Sequence, residues 1–174
     1  MQEIEIKILE INPREIEKKL IKLGAKKKFD GVIRSFTLDY PNRALKKDNC
    51  LLRLRTMGET GFVTYKKGLR ESKVKVCEET EVSVSDLEKM KLIFEELGLE
   101  KVDSMEKTRK SYSLGKAHFE IEKYINKHND VPPFLEIEGP NIKTIYKYAK
   151  VLGFSEKDCL PWTAGDVIKH YEKK

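Results

Sequence analysis

Glu3-Ile4-Glu5-Ile6-Lys7 alternates charged and apolar residues over five positions. Read as a strand, it places both carboxylates and the amine on one face and the isoleucines on the other, because side chains alternate with period two. The same alternation recurs at Arg53-Leu54-Arg55, Glu79-Thr80-Glu81, Lys107-Thr108-Arg109, Glu120-Ile121-Glu122 and Glu136-Ile137-Glu138. In each the charged pair has one sign.

Such segregation costs free energy. Carboxylates at i and i+2 on one face lie roughly 7 Å apart. At an effective dielectric near 20 they repel by on the order of 2 kcal/mol, less where water screens them. A face built only for solubility would mix signs, since opposite charges across a ladder help and like charges hurt. Paired acids make sense where a divalent cation joins them, and paired bases where a polyanion does.

The 174 residues predict one domain, 1–174, long enough for a substantial core. Charged residues make up 37% of the chain and hydrophobic residues 39%, a balance that predicts a folded globular protein. A net charge of +6 favours anionic ligands without selecting one. Cys50, Cys77 and Cys159 have neither zinc-finger spacing nor even number, so free thiols in a reducing cytoplasm are expected. The charged start predicts no signal peptide, and no apolar run approaches the ~20 residues of a membrane span.

Three acidic strands are each followed by a helix-like segment that ends on Leu-Gly: Glu5 to Gly24, Glu81 to Gly98 and Glu138 to Gly153. This is an irregular structural repeat rather than a solenoid. Asn12 is the expected cap of the first helix, with Pro13 in its first turn and Ile16, Leu20 and Leu23 on its apolar stripe. Ser85 with Glu88 predicts a capping box for the second, with Leu87, Met90, Phe94 and Leu97 inward. Asn141 starts the third, with Ile145, Ala149 and Leu152 inward. A last helix runs roughly from Ala164 to Glu172 after Thr163. Strands are expected near 2–10, 32–40, 50–56, 61–67, 73–84, 107–113, 117–125 and 134–138.

Helices need an apolar surface to cover, and these strands offer Ile4, Ile6, Leu52, Leu54, Ile121 and Ile137. The apolar faces should therefore turn outward beneath helices, and the charged faces inward. An α+β fold follows, in which an eight-stranded antiparallel barrel encloses a charged, wet tunnel. The alternative is an open sheet with one exposed charged face.

The motifs taken in order resemble the CYTH superfamily, the triphosphate tunnel metalloenzymes. They are the ExExK opening of Glu3, Glu5 and Lys7, then Leu52-Arg53-Leu54-Arg55, Thr64-Tyr65-Lys66-Lys67-Gly68, Glu79-Thr80-Glu81, Lys107-Thr108-Arg109-Lys110 and Phe134-Leu135-Glu136-Ile137-Glu138-Gly139. The chain looks most like class IV adenylyl cyclase-type members. Ser35 and Thr37 stand where the family usually has aspartate and tyrosine, and Glu122 where it has aspartate. The resemblance implies a tunnel, Mg²⁺ or Mn²⁺, and a triphosphate held inside.

On this reading Glu3, Glu5, Glu136 and Glu138 are metal ligands, as hard oxygen donors suited to Mg²⁺ or Mn²⁺. Glu79, Glu81 and Glu122 are catalytic bases or further ligands. Glu120 shares the parity of Glu122 and serves either with it or as partner to an interior base. Lys7, Arg53, Arg55, Lys66, Lys75, Lys107 and Arg109 bind phosphate, arginine as a bidentate fork and lysine as a point charge. Lys26-Lys27-Lys28 and Lys46-Lys47 are solvated surface. His118, His128 and His170 are structural, and Trp162 packs a helix start.

The expected function is metal-dependent phosphoryl or nucleotidyl transfer on ATP or another triphosphate, class IV adenylyl cyclase-like. The alternatives are a triphosphatase and a non-catalytic nucleotide or polyphosphate binder. The paired acids disfavour a nucleic-acid partner, whose phosphates they would repel. No membrane partner is expected, and a homodimer is the assembly entertained.

Overall fold

The computed structural model describes residues 2–69 and 75–172. Among them, eight strands form a closed antiparallel barrel with neighbour order β1-β5-β4-β3-β2-β6-β7-β8. The strands are β1 (Gln2–Ile8), β2 (Lys26–Asp39), β3 (Cys50–Met57), β4 (Thr60–Leu69), β5 (Lys75–Val84), β6 (Glu100–Leu114), β7 (Ala117–Ile125) and β8 (Phe134–Gly139). The helices are α1 (Pro13–Lys22), α2 (Ala44–Lys47), α3 (Leu87–Glu96), α4 (Ile142–Leu152) and α5 (Ala164–Glu172). The chain divides into two compact units.

The first unit is built around Gly31–Leu69 and Cys77–Lys107. In it β2, β3 and β4 pair with Phe36, Leu54 and Val63 in one cross-strand row. Leu38, Leu52, Leu54 and Val63 form the buried cluster, and Leu87, Met90 and Phe94 of α3 pack on it. At the end of β2 the buried Asp39 carboxylate accepts from the backbone N–H groups of Tyr40, Leu45 and Lys46, which anchors the short helix α2.

The second unit is built around Glu3–Asp30 and the chain from Thr108 onward. Here β1 pairs β8 with Ile6 opposite Ile137, and β8 pairs β7 with Ile137 opposite Phe119. This apolar face lies under α1, through Ile16 and Leu20, and under α4, through Ile145, Ala149 and Leu152. Each isoleucine or leucine side chain fully buried there contributes about 1.5–3 kcal/mol. The Lys19 ammonium donates to the Leu152 carbonyl at 2.6 Å, tying α1 to the end of α4. Beyond α4 the chain returns to β1, where Lys7 and Leu160 exchange two backbone hydrogen bonds of 2.8 Å.

The repeated Leu-Gly endings have one physical basis. Gly24, Gly98 and Gly153 all adopt positive φ, +83°, +89° and +98°. After each, the next residue's N–H returns to a carbonyl of the last turn: Ala25 to Leu20, Leu99 to Phe94 and Phe154 to Ala149. This is a Schellman closure, which a residue without Cβ adopts at low cost.

Several boundaries differ from the sequence reading. Strands β2 and β6 begin earlier, at Lys26 and Glu100, and are neighbours in the barrel. Their first residues are largely exposed and lack apolar alternation, so backbone pairing alone makes them strands. Helix α3 is capped by Asp86, not Ser85: the Asp86 carboxylate accepts from Lys89 N–H at 2.9 Å, and no capping box with Glu88 forms. That N–H is also the main reason the Asp86 carboxyl sits below its ordinary pKa. Leu97 lies past the last turn of α3 and is 64% exposed rather than inward. Leu23 is likewise exposed at the end of α1.

Candidate functional site

In the second unit the inward parity of β1, β8, β7 and β6 gathers acids and bases in rows. Glu5 stands opposite Glu138, which in turn stands opposite His118. The adjacent row sets Lys7 opposite Glu136 and Glu136 opposite Glu120. The Lys7 ammonium lies 2.9 Å from the Glu5 carboxylate and 2.7 Å from that of Glu136. Arg109 on β6 forms ion pairs with Glu120 and Glu122, and its Nε also donates to Glu122. Ser111 Oγ is 3.5 Å from Glu120.

These groups are buried: Glu5 is 2% exposed, Lys7 3%, Arg109 7% and Glu122 1%. The face is charged, and its five carboxylates outnumber the two cations, Lys7 and Arg109, that pair with them. Burial alone would lower the Lys7 pKa, yet Glu136 and Glu5 outweigh it and raise it. Burial likewise opposes the Arg109 charge, and Glu120, Glu122 and Glu136 together overcome it.

In the first unit Arg53 faces Thr37 and Thr64 across its two ladders, and Arg55 faces Ser35 and Phe62. The Arg55 guanidinium reaches both oxygens of Glu81, at 3.0 and 2.8 Å, and lies 5.7 Å from the centre of the Phe62 ring. Arg55 Nε is buried without a hydrogen-bond partner among the described residues. Thr64, fully buried, donates its hydroxyl to Glu81 at 2.6 Å. Lys66 pairs with Glu79. Ser35 and Thr37 therefore place neutral hydroxyl-bearing residues opposite the two arginines.

The structure thus brings Glu5, Lys7, Arg109, Glu120, Glu122, Glu136 and Glu138 together in one unit, and Arg53, Arg55, Lys66, Glu79 and Glu81 in the other. Lys107 is half-buried on β6, two positions before Arg109. The side chains of Glu3 and Lys75 lie outside the described residues. His128 packs edge-on to Tyr124, and Trp162 lies against His170 of α5. Sequence reading gave no role to Thr64, quoted only within its motif, or to Tyr124. Tyr124 continues the parity of Glu120 and Glu122, and that period-two spacing is the signal that would have found it.

A family model for the CYTH domain matches residues 1–154. The chain belongs to the CYTH domain family. A Methanocaldococcus jannaschii protein named "putative adenylate cyclase" is 34% identical over 155 residues, 87% of this chain and 84% of that one. A solved structure from Pyrococcus horikoshii OT3 superposes with a TM-score of 0.78 at 26% identity, covering 95% of this chain and 98% of that one. A Hippeastrum protein described as a "putative adenylyl cyclase" with a dominant triphosphatase activity shares the fold, with a TM-score of 0.71 at 13% identity over 97% of this chain and 95% of that one. CYTH members are adenylyl cyclase-like or triphosphatases and depend in general on a divalent metal. No helix among the described residues of this CYTH chain is long and apolar enough to cross a membrane.

Proposed function

We propose that this single CYTH domain is a divalent-metal-dependent enzyme that binds a triphosphate and cleaves it by phosphoryl or nucleotidyl transfer, in the manner of class IV adenylyl cyclases. The observation that supports this most is the mutual pairing of the charged ladders. Acids repelling along β1, β7 and β8 are held by Lys7 and Arg109, and those along β5 by Lys66 and Arg55. A metal–triphosphate complex brings both signs at once. Lys7 and Arg109 would turn to phosphate oxygens as Glu5 and Glu136 turn to the metal, so that the exchange replaces ion pairs rather than breaking them.

The carboxylates fit Mg²⁺ or Mn²⁺. Glu5 and Glu136, from adjacent strands, already converge on one cationic atom, Lys7 Nζ. Magnesium sites commonly use one or two carboxylates plus substrate phosphates and water. No cluster of three or more His, Cys, Asp or Glu arranged for a metal occurs among the described residues. Glu5 and Glu136 would hold the ion, with Glu138 opposite Glu5 and Glu3 two residues before it as further ligands. Bound there, the ion supplies charge neutralisation on phosphate oxygens.

The remaining roles follow from charge and donor geometry. Arg53, Arg55 and Arg109 present forks to phosphate oxygens, and Lys7, Lys66, Lys75 and Lys107 add point charges. Glu79, Glu81 and Glu122 are the groups able to take a proton from the attacking hydroxyl or water. Attack by a ribose hydroxyl on the α-phosphate would make the chain a cyclase, and attack by water a triphosphatase. The name of the 34%-identical relative supports the first. The activity ascribed to the Hippeastrum protein makes the second the alternative.

Phosphorus NMR of ATP, and separately of inorganic triphosphate, incubated with the protein and Mg²⁺ or Mn²⁺ tests the reading. Cyclic nucleotide with pyrophosphate marks the cyclase, and terminal phosphate release the triphosphatase. Binding of both compounds without products would leave a non-catalytic binder and remove the enzyme assignment.

A further inference from the structure

We infer that the Tyr124 hydroxyl is a substrate-binding group that donates a hydrogen bond to a phosphate oxygen of the bound triphosphate. The inference rests on the triphosphate reading above and adds a residue that neither the charge ladders nor their motifs name.

Tyr124 follows Glu120 and Glu122 at two-residue intervals along β7, so its side chain shares their inward face. It is 1% exposed. Its ring is fixed by Phe134, 5.4 Å away between centroids, and by His128, 6.0 Å away. Its hydroxyl is buried and has no hydrogen-bond partner among the described residues. Its strand parity turns it to the side of the sheet on which Glu120 and Glu122 engage Arg109.

Tyr112, the other tyrosine buried to the same degree among the described residues, has a partner for its hydroxyl, Glu17. Tyr171 donates to Glu10 and Tyr65 to Cys50. Buried tyrosines generally find a partner, and a buried donor left without one costs free energy that phenylalanine would not. The neighbouring Phe134 shows that an unsubstituted ring suits this environment.

The nearby acids already engage Lys7 and Arg109, so a ligand that draws those bases away must bring its own acceptors. Phosphate oxygens accept and do not donate, which matches a neutral O–H. A neutral donor also adds no charge to the cluster.

The test compares wild type with Tyr124→Phe. Titration calorimetry measures binding of inorganic triphosphate with Mg²⁺ and of Mn²⁺ alone, and thermal melts measure the unliganded proteins. The variant should melt at or above the wild-type temperature, because no native hydrogen bond is lost. Its triphosphate affinity should fall roughly tenfold or more, the scale of a hydrogen bond to a charged group. Its affinity for Mn²⁺ alone should not change.

Equal triphosphate affinity in the two proteins would overturn the inference and leave the functional reading standing. So would a lower unliganded melting temperature, which makes the hydroxyl structural, or a matching loss of Mn²⁺ affinity, which makes it a partner of metal-bound water. Wild type that binds no triphosphate would overturn both the inference and the reading beneath it.

Discussion

The Lys7 ammonium sits 2.7 Å from the Glu136 carboxylate, directly across the β1–β8 ladder, and 2.9 Å from Glu5 on its own strand. One lysine thus bridges a buried acid and a partly buried one. Replacing it with methionine keeps the volume and leaves both carboxylates without that cation. Lys7→Met should lose roughly 3–5 kcal/mol, the scale of breaking a buried ion pair. Added Mn²⁺ should restore the melting temperature of the variant by more than it raises that of wild type. Equal shifts in the two proteins would show that Glu5 and Glu136 do not take a metal in place of the ammonium.

Arg55 holds Glu81 through both carboxylate oxygens and lies over Phe62. Lysine keeps the charge and loses the planar fork. Arg55→Lys should weaken magnesium–triphosphate binding by about tenfold, or ~1.4 kcal/mol, with little change in unliganded stability. Calorimetric titration of inorganic triphosphate decides it, and wild-type affinity in the variant would remove Arg55 from the phosphate-binding set.

Away from the interior, Glu17 on α1 accepts from Lys110 at 2.8 Å, from Tyr112 and from Lys27. Lys110 first, then Tyr112 and Lys27, hold the Glu17 carboxyl down to about 2 against an ordinary 4.5. A depressed carboxyl stabilises the native state fully above its unfolded pKa, and that stabilisation fades as pH falls toward the folded value. Wild type should therefore lose stability between about pH 5 and pH 2 partly through Glu17. Melting temperatures of Glu17→Gln over this range should start lower and fall less steeply. Parallel curves would show that the Glu17 network contributes nothing to acid stability.

Much of this architecture was legible in the residues themselves. Like-sign pairs at two-residue spacing gave the strands, and the need of the helices for an apolar surface turned the charged faces inward. The Leu-Gly endings located three helix termini because only the left-handed glycine closes such a turn cheaply. The early starts of β2 and β6 were not legible, since Lys26-Lys27-Lys28 and Glu100-Lys101 carry no alternating apolar side. Nor were the ion pairs within the cluster. Sequence puts Arg109 and Glu122 each on the charged face of its own strand, but only the closed barrel places their side chains in contact. Tyr124 was overlooked because an aromatic residue ending a strand reads as packing, and its unpartnered hydroxyl is visible only in three dimensions.

Glu5 is the most direct probe of the central claim, that the buried carboxylates hold a metal for triphosphate cleavage. Lys7 keeps Glu136 as a partner when Glu5 is changed, so Glu5→Gln should remain folded. Turnover of ATP and inorganic triphosphate should be measured for wild type and Glu5→Gln with Mg²⁺, with Mn²⁺ and with EDTA. The account predicts wild-type turnover only with metal, and a loss of about a hundredfold or more in a variant of near-native melting temperature. Equal turnover in Glu5→Gln, or turnover that persists in EDTA, would contradict it.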